Sequence, residues 1–88
     1  MISDGQKQAL LNDLQRLHTT PLGEVRIRRN LSLQCEDVTA WCRELICAQD
    51  AVISRQGKNW YIRRNGVTLT VNARSLTIIT AHKGGAEP

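Results

Sequence analysis

No run of apolar residues in this chain is longer than a few positions, so no segment supplies the ~20 apolar residues that a membrane-crossing helix requires. The N-terminal Met-Ile-Ser-Asp-Gly carries no basic residues ahead of an apolar stretch. No secretion signal is therefore expected, and the expected location is the cytoplasm. Cysteine is scarce and odd in number: Cys35, Cys42 and Cys47, with no Cys-x-x-Cys pair. His18 and His82 stand far away without zinc-finger spacing, so no structural metal site and no cofactor are expected. Reduced thiols fit a cytoplasmic setting, and Cys42 and Cys47 suit small apolar packing positions. There is no glycine-rich phosphate loop, no serine in a nucleophile elbow and no cluster of carboxylates. Their absence removes the common nucleotide-hydrolysing and acyl-transfer classes. Repeats and linkers are absent too, which points to one domain over residues 1–83 with a frayed glycine-rich tail at 84–88.

What is present is a chain of 88 residues with 41 % hydrophobic side chains, enough for one folded core but not two. A chain of this size buries roughly two-thirds of its unfolded surface. Its stability margin is slim, and homodimerisation would widen it. Twelve Lys and Arg against eight Asp and Glu give a net charge of +4 and a pI near 9.4. The basic residues cluster: Arg26, Arg28 and Arg29, then Arg55 and Lys58, then Arg63 and Arg64. Guanidinium forks suit phosphate oxygens, so the clusters are compatible with an RNA or DNA partner. They are equally compatible with a solvated basic surface.

The periodicity predicts helices first and strands last. Ser3 and Gln6 have capping-box spacing ahead of Leu10, Leu11, Leu14 and Leu17, predicting a helix that ends near His18. Thr20 before Pro21 caps a second, short helix, with Leu22, Val25 and Leu31 inward and Arg26, Arg28 and Arg29 outward. Val38, Trp41, Cys42, Leu45 and Ile46 form the stripe of a third helix, opened by Glu36 and Asp37. From Ala51 the period becomes two. Strands are predicted over 52–55, 58–63, 67–72 and 76–82, with turns at Gln56-Gly57, Asn65-Gly66 and Ala73-Arg74. The expected fold is α+β: three N-terminal helices on one face of a four-stranded antiparallel meander. Trp41 and Trp60 would share the core, and Arg55, Tyr61, Arg63, Thr68, Thr70 and Asn72 would line the open face.

Several blocks resemble a family of short bacterial proteins of unknown function. They are Leu-His-Thr-Thr-Pro-Leu-Gly from Leu17, Arg26-Ile27-Arg28-Arg29-Asn30-Leu31, Trp41-Cys42, Gly57-Lys58-Asn59-Trp60-Tyr61, Val71-Asn72-Ala73, and Thr77-Ile78-Ile79-Thr80-Ala81-His82-Lys83. The resemblance implies a bacterial or phage origin and one domain over most of the chain. The expected layout, helices followed by an antiparallel sheet, also resembles the single-domain bacterial RNase toxins, which cut RNA without metal. That chemistry needs a base for the 2′-hydroxyl, an acid for the leaving oxygen and cations at the phosphate. His82 is the candidate base, with Arg63 as phosphate clamp and Tyr61 as proton donor or base-stacking ring. Arg26, Arg28, Arg29, Lys58 and Lys83 are the candidate nucleic-acid contacts. The plainer alternatives are a strand-end histidine held by a backbone group and a surface tyrosine paired across strands. Two functions remain open: a small RNA-binding domain or metal-independent endoribonuclease, and a non-catalytic regulator or inhibitor that docks on a protein or nucleoprotein.

Overall fold

The computed structural model describes residues 4–83. Helix α1 (Asp4–Asn12) leads into a single 3-10 turn (Leu14–Arg16) and a two-residue strand β1 (His18–Thr19). Helices α2 (Pro21–Leu31) and α3 (Val38–Cys47) follow. Strands β2 (Val52–Gln56), β3 (Asn59–Arg64), β4 (Val67–Asn72) and β5 (Thr77–Lys83) complete the chain. The sheet order is β1-β5-β4-β3-β2. Strand β1 runs parallel to β5, and the other three pairs are antiparallel.

The α+β class holds, but the four-stranded antiparallel meander does not. The sheet is five-stranded and mixed, and a strand stands between the first and second helices. Residues 18–20 leave the helical path because Thr20 precedes Pro21, whose ring disfavours the α region for its neighbour. Leu17 and Thr20 are extended. Once extended, the chain docks its backbone on β5, with the His18 amide donating to the Leu76 carbonyl at 3.1 Å. The Ser3 cap and the tail 84–88 lie outside the described residues.

Leu31 faces inward as its spacing predicts, but the start of helix α2 is rotated so that Leu22 and Val25 do not. Gly23, Ile27 and Leu31 are buried, while Leu22 is 77 % and Val25 53 % exposed. The cause sits at Gly23, where a Cβ would lie 2.9 Å from Thr19 Oγ1 and 3.6 Å from the Ile78 carbonyl oxygen. Only a residue without a side chain lets the helix approach the β1–β5 edge this closely. Thr20 caps the helix by accepting from the Gly23 amide at 3.0 Å, and Asn30 donates to the Ala81 carbonyl at 3.2 Å. At the far end, Asp37 caps α3 through the Ala40 amide.

Between helices and sheet lies one core of Leu10, Leu14, Ile27, Ile46, Ile62, Leu69, Leu76, Ile78 and their neighbours. Trp60 belongs to it at 5 % exposure, whereas Trp41 is only half-buried and packs against its margin. The turns sit close to prediction. Asn65 and Gly66 both have positive φ, as a type I′ hairpin requires. The β2–β3 turn falls one residue later than expected, at Gly57-Lys58, because Gln56 pairs with Asn59. Lys58 is thereby moved from a strand to a turn tip. In β5 the register shifts beside Thr70/Val71, leaving Ile79 unpaired. Through this bulge Ile78 and Ala81, three residues apart, both face the core.

The close seat of Gly23 sets an expectation opposite to helix propensity. Gly→Ala inside a helix ordinarily stabilises by about 1 kcal/mol. Here the added methyl presses on the cap hydroxyl and on Thr19, so Gly23→Ala is expected to lower stability by about 1–2 kcal/mol. Urea unfolding midpoints of the two proteins measure this, and a higher midpoint for the variant would mean that both threonines yield.

Candidate nucleic-acid interface

The tips of the β2–β3 and β4–β5 connections lie side by side and enclose a cleft of about 430 Å³ lined by Arg55, Gly57, Lys58, Asn72, Ala73 and Arg74. Among the described residues, three cations and no carboxylate line it. Among the described residues, none of the three makes an ion pair, unlike Arg16 with Asp13, Arg28 with Glu24 and Arg64 with Asp50. Their positive field is therefore directed at solvent and at whatever anion enters.

Each wall has a local cause. Gly57 takes φ +58° at the first turn position, where a side chain would be strained. Its carbonyl accepts from Arg55 Nε at 3.2 Å. The Arg55 guanidinium carbon lies 5.3 Å from the Trp60 ring centroid, within cation–π range. Arg55 is thus held over a buried indole by the ring below and the turn carbonyl beside it. Opposite, the Asn72 carboxamide oxygen accepts from the Arg74 and Ser75 amides at 3.0 and 2.9 Å. The Ala73 amide donates to the Lys58 carbonyl at 2.8 Å, tying the two tips together. Leu76 closes the loop with a left-handed φ of 58°, a conformation costing a non-glycine residue about 1–2 kcal/mol. Its buried side chain and its amide bond to the Asn72 carbonyl hold it there.

The residues singled out from sequence fall into three places. Lys58 lines the cleft. Arg63 pairs with Thr68, and Thr68 with His82, so these three form one cross-strand row. Two strand spacings, about 10 Å, separate Arg63 from His82. Tyr61 stands in the adjacent row with Ser54, Thr70 and Thr80. Lys83 ends β5 opposite Val67 at the same end of the sheet. This end is about 16 Å along β5 from Thr77 and the cleft. Arg26 and Arg29 lie with Leu22 and Val25 around a shallow dent of about 140 Å³ on the outer side of α2. Arg28 turns inward instead. It bonds Glu24 at 3.0 Å and donates to the Cys35 and Glu36 carbonyls, so it clamps the α2–α3 connection.

Sequence reading missed His18, which it weighed only as a zinc ligand. Its Nδ1 lies 2.9 Å from the Arg16 carbonyl, which only accepts, so Nδ1 carries hydrogen. In the neutral ring Nε2 then accepts from the Thr77 hydroxyl at 3.0 Å, and Thr77 accepts from Ser75 at 2.7 Å. Ser75 also lies 3.2 Å from the Asn72 oxygen. A chain of polar groups therefore joins an exposed imidazole to the cleft wall. Arg16 reinforces the same corner by donating to the Arg74 carbonyl at 2.8 Å. No sequence signal announces this chain, because its members come together only when β1 pairs with β5.

Other chemistry is poorly provided for. Among the described residues no group of three His, Cys, Asp or Glu side chains is placed to hold a metal ion. Burial, followed by the neighbouring Cys35, pushes the Cys42 thiol up to about 12, which makes it inert as a nucleophile. Cys47 is exposed, not buried as its place beside the apolar stripe suggested. No helix among the described residues is long and apolar enough to cross a membrane.

Residues 11–82 match a family described as protein of unknown function (DUF3781). No curated protein and no solved structure matches the chain.

The second depression, about 310 Å³ beside Arg63 and Thr68, includes the carboxylate of Asp50. Asp50 binds Arg64 Nε at 2.6 Å, and that hydrogen bond holds its carboxyl below the usual value. A lowered folded value means stability that is complete above the ordinary aspartate value, about 3.9, and lost as pH falls through the folded one. Asp50→Asn should therefore melt below wild type at neutral pH. The gap should narrow as a melting series is taken to acid pH through the lowered carboxyl value. A gap that stays constant across the series would show that the pair contributes nothing through its charge.

Proposed function

The chain belongs to this uncharacterised family, and within it we propose that the protein is a small RNA-binding domain whose primary phosphate contacts are Arg55, Lys58 and Arg74. The observation that carries the reading is the cleft itself: a concavity at the joined hairpin tips with three cations and, among the described residues, no carboxylate and no competing ion pair. Phosphates are the abundant anions that such a site suits, since each guanidinium and ammonium displaces a condensed counterion from a nucleic acid. The Asn72 carboxamide, the Gly57 backbone and nearby Ser75 add neutral polar groups of the kind that position a sugar-phosphate chain. Arg26 and Arg29, outward on α2, would offer further phosphate contacts of their own, whereas Arg28 is committed to the fold.

A second reading, cleavage of the bound RNA without metal, is favoured by the row Arg63–Thr68–His82 with Tyr61 beside it. There His82 would take the 2′-hydroxyl proton and the 2′-oxygen would attack phosphorus. The 5′-oxygen would then leave with a proton from Tyr61, and Arg63 would face the developing charge. The products would be a 2′,3′-cyclic phosphate and a free 5′-hydroxyl.

Binding is tested by fluorescence anisotropy of a short single-stranded RNA across a salt series. Affinity is expected to fall steeply with salt. The double variant Lys58→Ala, Arg74→Ala should bind at least tenfold more weakly, with a log–log salt slope shallower by about 1.4, from about 0.7 per lost contact. The Arg74 carbonyl that Arg16 grips is kept in this variant, so the loop stays anchored. Affinity that ignores salt would overturn the reading in favour of docking on a protein.

Cleavage is tested separately by mapping RNA ends after incubation in EDTA. Cyclic-phosphate ends from wild type, reduced about 100-fold in His82→Ala, would support it. RNA left intact in EDTA and in magnesium alike leaves binding as the only function.

A further inference from the structure

We infer that the cleft selects unpaired nucleotides, stacking one base on the solvent side of the Arg55 guanidinium while Lys58 and Arg74 hold the adjoining phosphate. The inference rests on the phosphate-binding reading and adds a substrate class to it. Three observations support it together. Arg55 lies over the Trp60 ring at 5.3 Å, and its Nε is held by the Gly57 carbonyl at 3.2 Å, so the position of the group is constrained by two contacts. The residue as a whole is exposed and lines the cleft, which leaves its second face toward the cavity. The volume, about 430 Å³, falls in the range of pockets that enclose ligands of nucleotide size.

A guanidinium plane is one of the platforms on which proteins stack unpaired RNA bases. An arginine free in solvent would have to be ordered before it could stack, at the expense of its rotamer freedom. Here the buried indole beneath and the turn carbonyl at the edge have already ordered it. A base placed on top would extend a stack of indole, guanidinium and nucleobase. A duplex offers no such face, because its bases are already stacked on one another. The same geometry explains why arginine and not lysine suits position 55. An ammonium could reach a phosphate equally well but presents no plane.

The discriminating experiment titrates the full-length protein by NMR with two probes, adenosine 5′-monophosphate and ribose 5-phosphate. They share the phosphate and differ by the base. The nucleotide is expected to bind at least tenfold more tightly and to shift the Trp60 indole N–H, which ribose 5-phosphate leaves in place. Arg55→Lys keeps the charge but removes the plane, and should abolish the difference between the two probes. Arg55→Gln, with its planar amide, should restore part of the difference. Equal affinity of both probes for wild type would overturn the stacking inference and leave the phosphate site standing. If neither probe binds at low salt, the phosphate-binding reading falls with it. A fold check by thermal melting of each variant separates loss of the stack from loss of structure.

Discussion

His18 and Thr19 pair in parallel with the first residues of β5, and most of what is unusual in the molecule follows from that contact. It ends the N-terminal helical region early and carries the chain to the sheet edge. It also places Thr20 where its hydroxyl caps α2 and brings Gly23 against Thr19 and Ile78. The approach is close enough to dictate the rotation of α2 about its axis. Ile27 and Leu31 then enter the core, and Leu22, Val25, Arg26 and Arg29 face outward. The same pairing sets His18 beside Thr77 and so completes the polar chain that reaches Asn72. A two-residue strand contributes little pairing of its own. Its leverage comes from standing between two rigid bodies, the helical layer and the sheet.

The two ends of the sheet differ in electrostatic character although both carry arginines. At the β3–β4 turn, Arg64 is matched by Asp50, and the local field is partly cancelled. At the opposite end the cations of the two joined tips make no ion pair among the described residues. A pairing of unlike charges on a surface contributes little to stability, so three cations without an ion pair among the described residues cost the fold little. It does create a region of positive potential next to neutral hydrogen-bonding groups. The charges of this end therefore add little to the stability of the core.

Trp60 links the two. Its ring belongs to the core at 5 % exposure, and its upper surface is the floor on which Arg55 lies. The rigidity that a packed interior imposes on an indole is passed to the guanidinium through contact. Strain at Leu76 is held in the same way, by a buried side chain and a backbone bond. The cleft is preorganised by what lies beneath it, and the loop residues around it need little order of their own.

Much of the architecture was legible in the residues because it is written in short-range pattern. The helical stripe from Val38 to Ile46, the alternation from Ala51 onward, the Thr20 cap and the Asn65-Gly66 turn each arise from interactions within a few positions. The sequence by itself therefore determined the α+β class, the four consecutive antiparallel strands and the sign of the surface charge. What depends on distant contacts was not legible. Leu22 and Val25 look apolar and inward, yet a glycine seated against another strand turned them out. Arg28 looks like its neighbours Arg26 and Arg29 but is consumed by Glu24 and two carbonyls. His18 joined a polar chain only through a residue 59 positions away. The fifth strand, the burial phase of α2 and the meeting of Arg55, Lys58 and Arg74 in one cleft were decided by tertiary structure. Each requires two segments to compete for the same space, and no local periodicity records the outcome of that competition.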